Sequence, residues 1–327
     1  MMPLTISVAM CTFNGEPFLI AQLESIARQD RLPNELVVCD DGSSDRTLEI
    51  LGQFAKRCSF PVRIEVNSEN LGSTRNFEKC ISRCQGSIVA LTDQDDVWYP
   101  HKLRRLEAAL RDSRDIVAAF SDAEVIDDDS RPVGLRLWES FGLDYASQTK
   151  FLRGRALEVL CNHPVITGAT LAFRRDRFHP MLPIPPNQFH DAWISFLLAA
   201  SGRFVLIPEP LMHYRRHHRQ QVGPGASVLS VAAQMAEAKK RGRTRRCEER
   251  GRFQQLYDFL SERSESFPHA EAAMREVEGK LSHLARRERL PEPRIARVFG
   301  VLHEVLAGAY WRYSSGWKSV AKDLLLP

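Results

Sequence analysis

The stretch IVALTDQDDVWYP, Ile88 to Pro100, places Asp93, Asp95 and Asp96 within four residues, directly behind a short apolar run. Carboxylates that close repel one another and resist losing their water. Two uses would justify the cluster. One is a solvated turn that ends in a helix N-cap. The other is a site for a divalent cation that also carries phosphate, since Mg2+ or Mn2+ takes one or two protein carboxylates and completes its shell with phosphate and water. Asp191, in FHDAWISFLL, heads an amphipathic segment and can either cap that helix or take a proton as a general base. Arg215, in LMHYRRHHRQQVG, is a cation of the kind that grips diphosphate bidentately. Trp98 and Trp193 can stack on a ligand or fill core.

The elements that must position these groups alternate in type through the first half. Buried strands are predicted at 5–11, 35–40, 62–67, 87–92 and 116–122, where Val, Ile and Leu run nearly unbroken. Helices are predicted at 16–29, after the potential caps Ser43, Ser44 and Asp45, at 73–84, and from Pro100 to about 112. Repeated β-α units of this kind imply an α/β fold with a mostly parallel sheet covered on both faces. Ligands bind such sheets outside the carboxyl ends of the strands. Polar residues gather there: Thr12 and Asn14, then Asp40 and Asp41, then Asn67 and Asn70, then the Asp93 cluster. Further on, a strand is predicted within 165–175, a helix at 190–201 and two short strands in RFVLIP and LMHYR. VGPGAS, 222–227, reads as a linker to a helix-rich remainder.

Composition narrows the classes. A chain of 327 residues, 43% hydrophobic and 26% charged, suits one large domain with an appendage, or two domains. The net charge of +4 is too small to mark a nucleic-acid binder. No run of 18 apolar residues suggests a membrane span, and the N-terminus reads as a strand, not a signal peptide. Seven scattered cysteines without a Cys-x-x-Cys pair fit a reducing cytoplasm. A Walker loop and a G-x-G-x-x-G turn are both missing. DQDDV formally matches the motif of haloacid-dehalogenase-type phosphohydrolases, with Asp93 as nucleophile, but that motif ends a first strand and here three β-α units precede it.

VAMCTFNGEPFL, LVVCDDGSSDRT, NSENLGSTRNF and VALTDQDDVWYPHKL, in this order, together with HDAW and YRRH, resemble family 2 glycosyltransferases of the GT-A fold. DQDDVW is similar to the bacterial rhamnosyltransferase-like branch. The resemblance spans about 4–223. It implies a GT-A domain at 1–223, with a nucleotide-binding part at about 1–112 and an acceptor part at about 113–223, and a helical extension at 224–327. It implies metal binding by Asp95 with Asp93, the latter or Gln94 near the ribose, and Asp96 behind them. It also implies nucleotide contacts from Thr12, Asn14, Asp40, Asp41, Asn70, Gly72, Arg75 and Asn76, a catalytic base at Asp191, and donor or acceptor contacts from Trp98, Trp193, Tyr214, Arg215 and His217. The expected reaction is inverting transfer from a dTDP- or UDP-sugar, first dTDP-rhamnose, to a cell-surface glycan or lipid-linked saccharide. The other function classes are an Asp93 phosphohydrolase and a non-catalytic nucleotide- or glycan-binding module. From Ala226 onward, 19 Lys and Arg face 13 Asp and Glu, with KKRGRTRR at 239–246 the densest run. That segment is a solvated basic surface or a peripheral membrane contact.

Overall fold

Val, Ile, Leu and Ala runs make three strands that are buried on both faces. β1 (Ile6–Thr12) is followed by α1 (Glu16–Ala27), β2 (Glu35–Asp40) by α2 (Thr47–Arg57), the half-buried edge strand β3 (Val62–Val66) by α3 (Gly72–Arg83), and then comes β4 (Ile88–Thr92). All four strands run parallel in the order β3-β2-β1-β4. Thr12 pairs with Asp40, Asp40 with Val66, and Met10 with Thr92, so their carboxyl ends lie along one edge. The computed structural model describes residues 4–217, 231–291 and 293–325, and the side chains of 231–245 and of Arg294 lie outside that description. So do the expected linker, His218 and Arg219, and most of the basic run.

The sheet continues antiparallel through β8. β5 (Val97–Trp98), α4 (Lys102–Arg111), β6 (Ile116–Ile126), β7 (Pro132–Arg136), α5 (Leu137–Ser140) and α6 (Tyr145–Leu152) precede α7 (Ala156–Asn162). β8 (Leu171–Arg174), α8 (His190–Ser201) and β9 (Arg203–Arg215) follow. β8 runs antiparallel between β4 and β6, β9 lies parallel to β6, and β5 pairs antiparallel with the far end of β9. The strand expected across 165–175 shrinks to four residues, because Gly168–Thr170 forms a 3₁₀ turn. The two strands expected near the end of this region are one. Pro208 and Pro210 lack N–H donors, so the pairing with β6 slips between Ile207 and His213 without ending the strand.

The chain divides into two compact units, one of residues 1–154 and 165–223, the other of 155–164 and 224–327. Segment 155–164 was expected in the glycosyltransferase domain, yet α7 packs with the C-terminal helices. These are α9 (Val231–Glu262), α10 (Ala270–Glu288), α11 (Arg294–Leu306), α12 (Ala309–Tyr313) and α13 (Trp317–Leu325). Lys280 explains part of that attachment, since its buried ammonium donates to the carbonyls of Asn162 and Tyr313 and pairs with Glu249.

Two glycines separate close packing from conformational freedom. A Cβ on Gly202 would stand 2.6 Å from the Asp115 carbonyl and 2.6 Å from Val117 Cγ1, whereas Gly52, inside α2, has open space around it. Gly202→Ala should therefore destabilise by about 1–3 kcal/mol through overpacking. Gly52→Ala should stabilise by about 0.4–1 kcal/mol through the unfolded chain. Urea melts of both variants check the opposite signs.

Candidate active site

The loops leaving the first three strands are knitted together by side chains at the strand ends. Thr12 Oγ1 donates to Asp40 Oδ2 at 2.7 Å, and Asp40 also accepts from the Ser43 amide at 2.8 Å and its hydroxyl at 2.6 Å. Asn14 sits at φ 49°, in the left-handed region asparagine tolerates, and its Oδ1 accepts from the Ser44 amide at 2.9 Å. Asp41 faces the N-terminus of α3: Oδ1 accepts from Leu71 N at 2.8 Å and Asn67 Nδ2 at 2.7 Å, and Oδ2 from Gly72 N at 2.9 Å. Gly72 has φ +74°, which suits glycine. Asn70 Nδ2 donates to the Asp41 carbonyl, and Asn76 bridges Asn67 and the Cys39 carbonyl. Thr12, Asp40, Asp41 and Asn76 are buried, while Asn14 and Asn70 are exposed along the same edge. Arg75 pairs with Glu78 one turn along α3.

The acidic cluster leaves β4 in a fixed shape. The Gln94 amide makes two bonds to the Phe13 backbone, accepting from N at 2.9 Å and donating to O at 3.0 Å. Asp95 Oδ2 lies 2.8 Å from His217 Nε2. Asp96 Oδ1 accepts from Arg215 N at 3.0 Å, and its Oδ2 has no partner among the described residues. Arg215 Nε donates to the Asp95 carbonyl at 2.8 Å, and Nη1 reaches the carbonyls of Asp127 and Asp128 and the Ser130 hydroxyl. Under the cluster lies Lys102, 1% exposed, donating to the Ala169 carbonyl at 2.7 Å with its ammonium 4.2 Å from the Trp98 ring centre. Burial pushes Asp93 up to about 8, helped by Asp95 and Asp191 and opposed by Lys102. Burial, Asp95 and Asp93 raise Asp96 well above the carboxylate range, and burial pulls Lys102 down to about 7 against the field of Asp96 and Asp93.

Asp191 enters from the other side. Phe189 is the N-cap of α8, so Asp191 stands inside the first turn, where its Oδ1 accepts from Ala192 N at 2.7 Å. It does not occupy the capping position, and its charge acts on Asp93. The entry to α8 is held by Thr74, which donates to the Gln188 carbonyl, and by His190, whose ring stacks on Phe77 at 4.1 Å. Burial lowers the pKa of His190, against the pull of Asp191.

Several expected ligand contacts are occupied by the protein itself. Trp98 and Trp193 are 3% and 2% exposed, and Trp193 Nε1 donates to the Met181 carbonyl, so both fill core instead of offering sugar a stacking face. Tyr214 is buried in the main core. Arg215, 2% exposed, clamps the backbone of the acidic loop, which corrects the expectation of a free diphosphate grip. Asp96 does not cap α4, whose N-cap is His101. Lys102 carries no expected role, yet its spacing marks it as buried. It stands four residues before Leu106 and eight before Leu110, on the buried stripe of α4.

Residues 7–180 match the Glycosyl transferase family 2 domain. The chain belongs to glycosyltransferase family 2. An uncharacterized glycosyltransferase of Nostoc sp. is 26% identical over 237 residues, which is 71% of either chain. Among solved structures, Staphylococcus aureus TarS 1–349 in complex with UDP superposes with a TM-score of 0.54 at 18% identity, covering 94% of this chain and 93% of that one. The Pyrobaculum calidifontis mannosyltransferase PcManGT in complex with GDP-Man and Mn2+ gives a TM-score of 0.55 at 18% identity, covering 93% of this chain and 76% of that one. Those likenesses establish the GT-A fold. Membership of the family displaces the phosphohydrolase reading of Asp93.

Arg215→Lys tests the clamp. A lysine cannot reach the Asp95 carbonyl and the 127–130 turn together. The variant should fold, with stability reduced by about 1–3 kcal/mol for the carbonyls left without donors. Chemical denaturation followed by circular dichroism measures it, and an unchanged midpoint would remove the clamp from consideration.

Proposed function

We propose that this family 2 glycosyltransferase transfers a sugar from a nucleoside diphosphate to a hydroxyl of a glycan or lipid-linked saccharide, with inversion at the anomeric carbon. The observation that carries the reading is the convergence of two carboxylate sites on one sheet edge. Asp95 faces His217 at 2.8 Å, and Asp191, from α8, bears on Asp93. Neighbours of this fold bind UDP, UDP-GlcNAc and GDP-Man, which supports a nucleotide-sugar donor. The DQDDVW variant makes dTDP-rhamnose the first donor to try.

In this reading the loops around Asn14, Asp41 and Asn70 hold the nucleoside, and Arg75 lies beside them. Among the described residues no group of three His, Cys, Asp or Glu side chains could hold a metal ion. A carboxylate and an imidazole at one strand end nevertheless suit an ion whose remaining shell is phosphate and water. Asp95 and His217 would hold Mn2+ or Mg2+, with Asp93 nearby on the same loop, and the ion when bound would neutralise charge on the departing diphosphate. Asp191 takes the proton of the attacking hydroxyl as its oxygen bonds the anomeric carbon. The bond from that carbon to phosphate breaks in the same displacement, and the electron pair leaves on the nucleoside diphosphate. With a single displacement and no covalent enzyme intermediate, the configuration inverts.

Asp191→Asn keeps the size of the side chain and removes the proton acceptor. Transfer should fall by roughly 10²–10⁴-fold with nucleotide affinity nearly unchanged. Steady-state rates with calorimetric titration of the nucleotide check the split, and turnover near the parent rate would send the search to another carboxylate.

Asp95→Ala should abolish Mn2+-dependent stabilisation by UDP, dTDP or GDP while leaving the ligand-free melting temperature within a few degrees. A thermal-shift screen with and without Mn2+ reads both, because a ligand bound to the native state raises apparent stability. The non-catalytic alternative predicts nucleotide binding without any donor turnover.

A further inference from the structure

Helix α11 is amphipathic in the wrong sense for a core helix. Its packed face carries Arg297, Val301 and Glu304, all under 5% exposed. Arg297 donates to the carbonyls of Pro291 and Asp323, and Glu304 is held by His283 and Arg286. Its apolar side chains point outward instead. Ile295, Phe299, Leu302 and Leu306 recur at three- and four-residue spacing and are 84%, 78%, 49% and 80% exposed. α13 repeats the arrangement: Trp317 and Leu325 are exposed on one stripe with Ala321 between them, while Ser319, Val320 and Asp323 are buried. Trp311, also exposed, packs edge-on against Trp317 at 5.1 Å between ring centres.

We propose that α11 and α13 dock this protein on the surface of an anionic lipid bilayer. Charge selects that occupant. Among the described side chains of 286–325, the acidic ones are turned inward or paired: Glu288 with Arg250, Glu304 with His283 and Arg286, Asp323 with Arg287. Arg289, Lys318 and Lys322 stand exposed, the two lysines beside the apolar stripe of α13. Basic side chains bordering exposed Trp, Phe and Leu match a headgroup layer above acyl chains. A second copy meeting this face across a two-fold axis would bring like charges together. With 13 residues α11 is about 20 Å long, and no helix of the described residues is long and apolar enough to cross a membrane, so the contact is interfacial. The proposal does not depend on the reading of the active site.

The test is co-sedimentation of the full chain with vesicles of phosphatidylglycerol and phosphatidylcholine in equal parts, against phosphatidylcholine alone, at low and high salt. Binding should favour the anionic vesicles and weaken with salt. Phe299→Glu with Leu306→Glu should reduce it by about tenfold or more, through lost apolar burial. Lys318→Gln and Lys322→Gln should each reduce it roughly fivefold. All four positions are exposed, and melting curves should show the variants folded. Sedimentation velocity without lipid covers the rival occupant. No binding to anionic vesicles, binding unaffected by the variants, equal binding to neutral vesicles, or a dimer that Phe299→Glu with Leu306→Glu dissociates would each overturn the proposal.

Discussion

Three carboxylates within four residues at the end of β4 are the constraint around which the catalytic unit is organised. Left alone they would repel one another and lose hydration as the strand is covered. Each has a counterpart within the protein. Asp95 faces the imidazole of His217, Asp96 takes the backbone amide of Arg215, and the buried Lys102 is shared by Asp93 and Asp96, whose fields favour its charged form against the pull of burial. Lys102 is itself costly to bury, and its bonds to the Ala169 carbonyl and Met212 sulfur, with the Trp98 face beside it, offset part of that cost. The cluster thus keeps its shape through contacts with the protein's own groups.

The same constraint explains why β9 is long and irregular. Its last residues must pair with β6 and also reach the acidic loop, more than a hundred residues earlier in the chain. Val97 and Trp98 pair with His213 and Met212, so the exit of the acidic loop is a strand of the same sheet. Two residues beyond Tyr214 and Arg215 lies His217, next to Asp95. The slip at Pro208 and Pro210 spends a few ladder bonds to set that register. Asp191 reaches the same edge by another route, through a loop that Thr74 and His190 fasten to α3, the helix whose N-terminus binds Asp41.

Much of this was legible in the residues because the relevant signals are local. Unbroken Val, Ile and Leu runs mark parallel buried strands, and polar residues at four strand ends locate the edge. Side-chain duties depend on long-range packing and were read less well. A tryptophan or arginine near a site looks the same in sequence whether it meets ligand or core, and Trp98, Trp193 and Arg215 all meet protein. Lys102 shows the converse, a charge on a buried helical stripe that spacing alone could have exposed. Residues 155–164 lie within the family match at 7–180 yet group with the C-terminal unit, and nothing local in the sequence marks that. Part of the attachment of α7 comes from Lys280, over a hundred residues downstream.

The second unit shows most clearly that periodicity reveals a helix's faces but not which one is inward. α11 has the spacing of a core helix, yet it buries Arg297 and Glu304 and exposes its apolar stripe. Hydrophobic packing alone would have favoured the opposite orientation, because buried ion pairs are often no more stabilising than apolar side chains of similar volume. Here the inward charges join one network. His283 bridges Glu304 and Ser314, Arg287 grips Asp323 with two nitrogens, and Tyr310 donates to the same carboxylate. Rotating α11 by half a turn would strand Glu304 and break that network, so the orientation is specified by polar bonding and not by burial of the stripe. A fold that places Ile295, Phe299, Leu302 and Leu306 in water while satisfying charges within leaves apolar surface available to an external partner, at a net cost in its own stability.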